Sequence, residues 1–250
     1  MGRGNKKRRL SVEEELEVNN FLENKNTPYI KKESKFKVKN FSARTDKQAE
    51  LINSIEEYEV TIGVGEAGTG KSYVALAAAL SLLETSPSYE QIILCKSVTT
   101  LPEEEIGFIK GSVSEKMEPF MMSYQWNVDK LMGKNAYRSL VETGKIQILP
   151  LAFIRGLSID NSIVIIDEAQ NLSDHTFKSI VTRIGNNSKY IFLGDIAQVD
   201  KKKKADSCLA KVLEAFKDED FVGTVEFGRE DCVRNKIIPL ILDVLEKIGI

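Results

Sequence analysis

The stretch from Tyr58 to Leu83 leaves this chain few folds to choose from. A short apolar run breaks there into Gly65-Glu66-Ala67-Gly68-Thr69-Gly70-Lys71-Ser72 and then into an alanine- and leucine-rich segment. Every fixed position of the phosphate-loop pattern G-x-x-x-x-G-K-[ST] is filled. Val60, Ile62 and Val64 alternate as a strand does, and Tyr73 to Leu80 is a strong helix former. Strand, glycine loop and helix in that order form the context in which the motif binds phosphate. Glycines let successive backbone N–H groups turn inward around anionic oxygens, and the helix start adds unpaired donors and partial positive charge. On this reading Gly65, Glu66, Ala67, Gly68, Thr69, Gly70, Lys71, Ser72 and Tyr73 hold a nucleoside triphosphate. Lys71 neutralises the β- and γ-phosphates, and Ser72 ligates Mg²⁺ through its hydroxyl.

Two further strand ends carry polar chemistry. Ser162-Ile163-Val164-Ile165-Ile166 is apolar after its first residue and ends in Asp167-Glu168. A run of this kind belongs in the middle of a parallel sheet, buried on both faces, and such sheets bind ligands at the carboxyl ends of their strands. Asp167 is therefore expected to hold Mg²⁺ through water, and Glu168 to orient the attacking water and accept its proton. Tyr190-Ile191-Phe192-Leu193 ends in Gly194-Asp195-Ile196-Ala197-Gln198. Asp195 and Gln198 are expected to sense the γ-phosphate and to couple it to the following loop. That loop contains Lys201 to Lys204, a candidate backbone-phosphate contact that is otherwise a solvated turn.

Upstream of the phosphate loop, Thr45-Asp46-Lys47-Gln48 opens a helix with Leu51, Ile52 and Ile55 on one face. Gln48 has two competing roles, reading an adenine edge with its amide or capping the helix as its third residue. The sequence expects an α/β fold with a mostly parallel central sheet flanked by helices. Residues 41–250 form a single domain with an irregular insertion at about 96–131, where Pro102, Gly107, Gly111 and Pro119 interrupt any helix. Met121, Met122, Tyr124 and Trp126 in that insertion read as exposed groups that stack on bases or line a partner surface, or else as a small packed insertion. Residues 1–40 are a basic, polar extension and linker. Asn171 to Gly185 reads as one helix, Val225 to Phe227 as the last strand, and Leu209 to Phe216 and Ile237 to Ile248 as two closing amphipathic helices.

Composition sets the outer limits. With 250 residues, 42% of them apolar, a sizeable core is expected. The net charge of −2 supplies no global field toward nucleic acid, so any such binding uses local patches. Cys95, Cys208 and Cys232 lie far apart without metal-ligand spacing, which suits a reducing compartment. With no apolar run of membrane length and no signal-peptide core, the expected location is cytoplasmic.

Together these motifs resemble the PhoH-like ATPase family, which is related to the first RecA-type domain of superfamily 1 helicases. The resemblance covers about residues 41 to 247. It is densest in Pro150 to Gly156, Asp167-Glu168-Ala169-Gln170-Asn171, Thr182-Arg183-Ile184-Gly185, Gly194 to Asp200 and Asp231-Cys232-Val233-Arg234. It implies a RecA-like P-loop NTPase that binds ATP and Mg²⁺, hydrolyses ATP, and works as a helicase-like motor on single-stranded RNA or DNA. The alternative is a nucleotide-gated assembly protein without strand translocation. The resemblance also tilts Gln48 toward adenine, and it implies a homo-oligomer such as a hexameric ring. Because one RecA-like domain lacks the second that supplies an arginine finger in those helicases, a neighbouring subunit is expected to supply it. Arg234 is the first candidate, with Arg183 and Arg155 behind it. The chain departs from the family pattern at Lys96-Ser97, Ile109-Lys110-Gly111, Thr176 and Asn235, departures expected to fall on substrate-side or subunit-contact positions away from the phosphate loop.

Overall fold

The apolar runs of the sequence become the strands of one sheet. The computed structural model describes residues 37–39, 41–96, 113–154, 157–198 and 207–234, and beyond these 237, 240, 241, 244, 247 and 248. Its strands are β1 (Val60–Gly65), β2 (Gln91–Lys96), β3 (Ile146–Ile148), β4 (Ser162–Asp167), β5 (Lys189–Gly194) and β6 (Val222–Phe227). They form a six-stranded sheet in the order β3-β2-β4-β5-β1-β6. Every pairing is parallel. β4 and β5 are buried at every position, as continuous apolar runs in the middle of a parallel sheet must be.

The helices are α1 (Asp46–Glu57), α2 (Lys71–Thr85), α3 (Val113–Met132), α4 (Ala136–Glu142), α5 (Leu151–Ile154), α6 (Asp174–Val181) and α7 (Cys208–Phe216). Alternate strand residues supply two cores. Ile92, Leu94, Ile163, Ile165, Ile191 and Leu193 pack with α1, α2, α3 and α4 on one face. Ile93, Cys95, Val164, Ile166, Tyr190 and Phe192 pack with α6 and α7 on the other. This period-2 division is why a strand with no polar residue still has two distinct faces.

The strand order decides the site. β5 lies between β1, which feeds the phosphate loop, and β4, which ends in Asp167. Residues 165, 191 and 61 are aligned across these three strands, so their carboxyl ends open at one edge of the sheet.

The structure corrects two expectations. The insertion is not irregular over its second half: α3 is a 20-residue helix that runs through Pro119. A proline removes one ladder donor. Met121, Tyr124, Val128 and Leu131 recur at helical spacing, all at most 2% exposed, and this apolar seam holds the helix against the core. Met121 and Tyr124 are thus core residues, while Met122 (46%) and Trp126 (67%) are exposed on the outer face. Second, the helix expected over Asn171 to Gly185 is only α6, capped by Ser173 as expected. It stops because the chain turns to pair with the segment before β4: Ile159 N–H donates to Arg183 O at 3.2 Å, and Gly185 N–H donates to Ile159 O at 3.1 Å. Ile237, Ile241, Val244 and Ile248 are each at least half exposed. The basic extension before residue 37, the Lys201 to Lys204 loop, Arg155, and Pro102, Gly107 and Gly111 lie outside the described residues.

Candidate functional site

Strain in the phosphate loop is carried by glycines. Gly68 and Gly70 have φ of +94° and +85°, in the left-handed region that favours glycine. At Gly70 a Cβ would also lie 2.9 Å from Gln48 Nε2. The loop closes on its own lysine: Lys71 Nζ donates to Gly65 O at 2.6 Å, to Glu66 O at 2.8 Å and to Thr69 Oγ1 at 3.2 Å. Burial lowers the Lys71 pKa, and the carboxylates of Asp195, Asp167 and Glu168 oppose that shift. Lys71 therefore sits among three acidic groups at the mouth of the sheet, and the charge of Arg234 also acts to lower its pKa.

Across from the loop, Ser72 Oγ lies 3.1 and 3.3 Å from the two carboxylate oxygens of Asp167. Asp167 also accepts from Glu168 N–H at 3.1 Å and from the Tyr124 hydroxyl at 3.0 Å. Burial raises its pKa, as does the neighbouring charge of Glu168, while Lys96 and the hydrogen bonds lower it. A hydroxyl and a buried carboxylate converging beside a phosphate cradle are a fitting donor set for a hard cation such as Mg²⁺.

Glu168 follows the strand end with φ of +56°, in the left-handed region. Its carboxylate accepts from Gln170 Nε2 at 2.8 Å and pairs with Lys96 Nζ at 3.7 Å. Gln170 Oε1 in turn accepts from Asp195 N–H at 3.0 Å, and Gln198 Nε2 donates to Asp195 Oδ2 at 2.9 Å. A continuous chain of contacts thus runs Lys96, Glu168, Gln170, Asp195, Gln198 across β2, β4 and β5. Lys96 is a correction: this departure from the family pattern, expected away from the chemistry, touches Glu168 and lines the nucleotide pocket.

Thr45 caps the helix at Gln48, whose side-chain amide makes further contacts. The Gln48 N–H donates to Thr45 Oγ1 at 3.2 Å, its Oε1 accepts from Arg44 N–H at 2.9 Å, and its Nε2 donates to Thr69 O at 2.8 Å. At 3% exposed, it ties α1 to the phosphate loop. Phe41 and Tyr73 meet edge-on with ring centroids 5.5 Å apart, and Lys130 Nζ sits 5.1 Å from the Tyr73 ring centroid. These groups and Arg44 form one end of a cavity of about 600 Å³ whose walls also include Lys71, Ser72, Asp167, Glu168, Asp195 and Gln198.

The described candidate arginines lie at two different places in the fold. Arg234, the first candidate for a finger donated to a neighbour, lines the pocket of its own chain. Val233 N–H donates to Gly68 O at 3.1 Å, and the Arg234 side chain rests on Gly68, its Cδ 3.3 Å from where a Cβ there would stand. The chain after β6 returns to the phosphate loop because β6 pairs directly with β1 and delivers its end there. Arg229 adds a second tie, its Nε donating to Glu66 Oε1 at 2.7 Å. Arg183 lies at the opposite end of the sheet, where its carbonyl accepts from the Tyr190 hydroxyl at the start of β5. Asp195 follows Tyr190 five residues later, about 16 Å along the strand. Gln170, Tyr124, Asn127 and Lys130 belong to the site or its support, and sequence reasoning assigned none of them there. The helical spacing of Met121, Tyr124, Val128 and Leu131 was the one available signal for α3.

A parallel sheet with this strand order, a glycine loop entering α2 and carboxylates on the adjacent strand ends together define a P-loop nucleotide-binding protein. The chain belongs to the PhoH family, whose description, "PhoH-like protein", matches residues 40–246. It is 33% identical over 211 residues to the PhoH-like protein of Bacillus subtilis (strain 168), covering 84% of this chain and 66% of that one. It is 34% identical over 197 residues to Protein PhoH of Escherichia coli (strain K12), covering 78% and 55%. The chain therefore spans between about half and two thirds of the length of these relatives. Among solved structures, it is similar to the large terminase of a thermophilic bacteriophage at 12% identity and a TM-score of 0.48, covering 82% of this chain and 50% of that one.

Proposed function

We propose that this chain binds ATP with Mg²⁺ and hydrolyses it, as a helicase-like motor stimulated by single-stranded RNA or DNA and working as a homo-oligomer. The observation that carries the hydrolytic reading is the convergence of Lys71, Ser72, Asp167, Glu168, Asp195, Gln198 and Arg234 on one pocket. Transfer of a phosphoryl group to water needs in-line positioning and compensation of negative charge. Lys71 and Arg234 supply positive charge from the two sides of the phosphate loop. Ser72 and Asp167 would hold Mg²⁺, which when bound neutralises charge on the phosphate oxygens. Glu168, held by Gln170 and Lys96, orients the attacking water and takes its proton. Asp195 and Gln198, tied to Glu168 through Gln170, connect that event to the segment after β5.

That Arg234 lines the pocket of its own chain supports a reading in which it acts in cis. The arginine acts within one chain, and oligomerisation serves strand engagement rather than completing the catalytic centre. The test is an ATPase assay with and without single strands across salt and protein concentration. Single-strand stimulation that weakens with salt supports the motor reading. ATP-dependent association without such stimulation replaces it with the nucleotide-gated assembly reading. In the same assay Lys71→Ala is expected to abolish nucleotide binding or turnover. Glu168→Gln is expected to keep binding and lose roughly 10²- to 10⁴-fold in rate. Normal turnover in Glu168→Gln refutes its assignment as the base.

A further inference from the structure

We propose that Tyr124, 43 residues before the carboxylate it touches, is a positioning residue that holds Asp167 in the orientation that binds the metal; the inference rests on the Mg²⁺-nucleotide reading above. Tyr124 is 1% exposed, and its hydroxyl donates to Asp167 Oδ2 at 3.0 Å. Packing alone would be served by phenylalanine, because a buried phenol needs a partner for its O–H. Here that partner is the carboxylate beside the Mg²⁺-binding serine. The other bonds to Asp167 come from the loop–helix junction at Ser72 and from the backbone of Glu168. Tyr124 alone among these reaches the carboxylate from α3.

The chemistry explains why such a contact matters. A carboxylate turns about a broad, roughly two-fold terminal torsion, so packing sets its plane weakly. A hydrogen bond to one oxygen selects the plane and leaves lone pairs of the other for a ligand. Groups of this kind behind a metal ligand change metal affinity by about 10- to 100-fold. The same helix lines the nucleotide cavity with Ser123, Asn127 and Lys130, so α3 is a wall of the site as well as a support.

The experiment measures binding of a non-hydrolysable ATP analogue by calorimetry, with Mg²⁺ and with EDTA, on the full chain. The quantity read is the ratio of the two affinities. Tyr124→Phe is expected to leave the EDTA affinity unchanged and to cut the Mg²⁺ advantage about tenfold. Val128→Ala, a fully buried change on the same seam, controls for packing and is expected to keep the wild-type ratio. An unchanged ratio in Tyr124→Phe overturns the proposal, and so does an equal loss in Val128→Ala. Failure of wild-type protein to bind the analogue at all would instead sink the nucleotide reading. Should Tyr124→Phe not fold, Tyr124→Trp, which keeps an N–H donor on a buried ring, must retain a larger Mg²⁺ advantage than Tyr124→Leu; equal ratios in the two refute the proposal.

Discussion

Gln170→Glu isolates the contact that holds Glu168, the proposed base. Gln170 is 7% exposed and uses both ends of its amide, Nε2 toward Glu168 and Oε1 toward Asp195 N–H. Glutamate has the same shape and keeps an acceptor for Asp195. At the other end it replaces a donor at 2.8 Å with a second carboxylate. The lost hydrogen bond to a charged group is worth about 1.5 to 3 kcal/mol. At about 1.4 kcal/mol per factor of ten, misplacement of Glu168 lowers kcat by about 10- to 100-fold. Repulsion between the two carboxylates adds to that loss. The assay is steady-state ATP hydrolysis alongside nucleotide affinity, with Gln170→Leu for comparison. Leucine also leaves the buried Asp195 N–H without its acceptor, which costs about 1 to 3 kcal/mol of stability and lowers the melting temperature. Gln170→Glu keeps the acceptor for Asp195 N–H and avoids that particular cost, although its buried second carboxylate carries a cost of its own. Unchanged kcat in Gln170→Glu, or a fall in affinity equal to the fall in rate, would refute the assignment of Gln170 as the residue that orients the base.

Two other outcomes follow from the site. Arg234→Ala mixed with Glu168→Gln is expected to recover no turnover, because each chain holds its own Arg234 against its own phosphate loop; recovered activity on mixing would place the arginine in a neighbour's site. Asp167 has its pKa raised above the ordinary value of 3.8, chiefly by burial. Metal binding needs the carboxylate ionised, so the Mg²⁺ advantage in nucleotide affinity is full well above the raised value and is lost as pH falls through it. Calorimetry across pH should show the loss beginning at higher pH than an exposed aspartate would give, and no pH dependence of that ratio between about pH 7 and about pH 4 would contradict it.

The legible part of the site was the part written in contiguous residues. The phosphate loop, the apolar run ending in Asp167 and Glu168, and the strand ending in Asp195 each carry strand, turn and chemistry within a short span, and each appears in the fold as expected. Ser173 and Thr45 cap the helices that their local pattern implied. Gln170 went unassigned because a glutamine two residues past a carboxylate has no distinctive local pattern. Its importance arises only when β5 lies beside β4 and brings Asp195 within 3.0 Å. Tyr124 was obscured by Pro119, whose missing donor argued against a helix that tertiary burial nonetheless sustains.

By itself, then, the sequence determined the cradle: a strand, a glycine loop whose left-handed turns favour glycine, a lysine and a helix start, with the carboxylates that follow. These depend on backbone geometry and charge over short spans, which the order of residues dictates directly. Only the tertiary structure decided which distant groups face that cradle. Pairing of β6 with β1 brings Arg234 into its own pocket, and packing of α3 brings Tyr124 to Asp167. Those contacts depend on strand order and on which helix face finds the core, quantities that no local window of the chain contains.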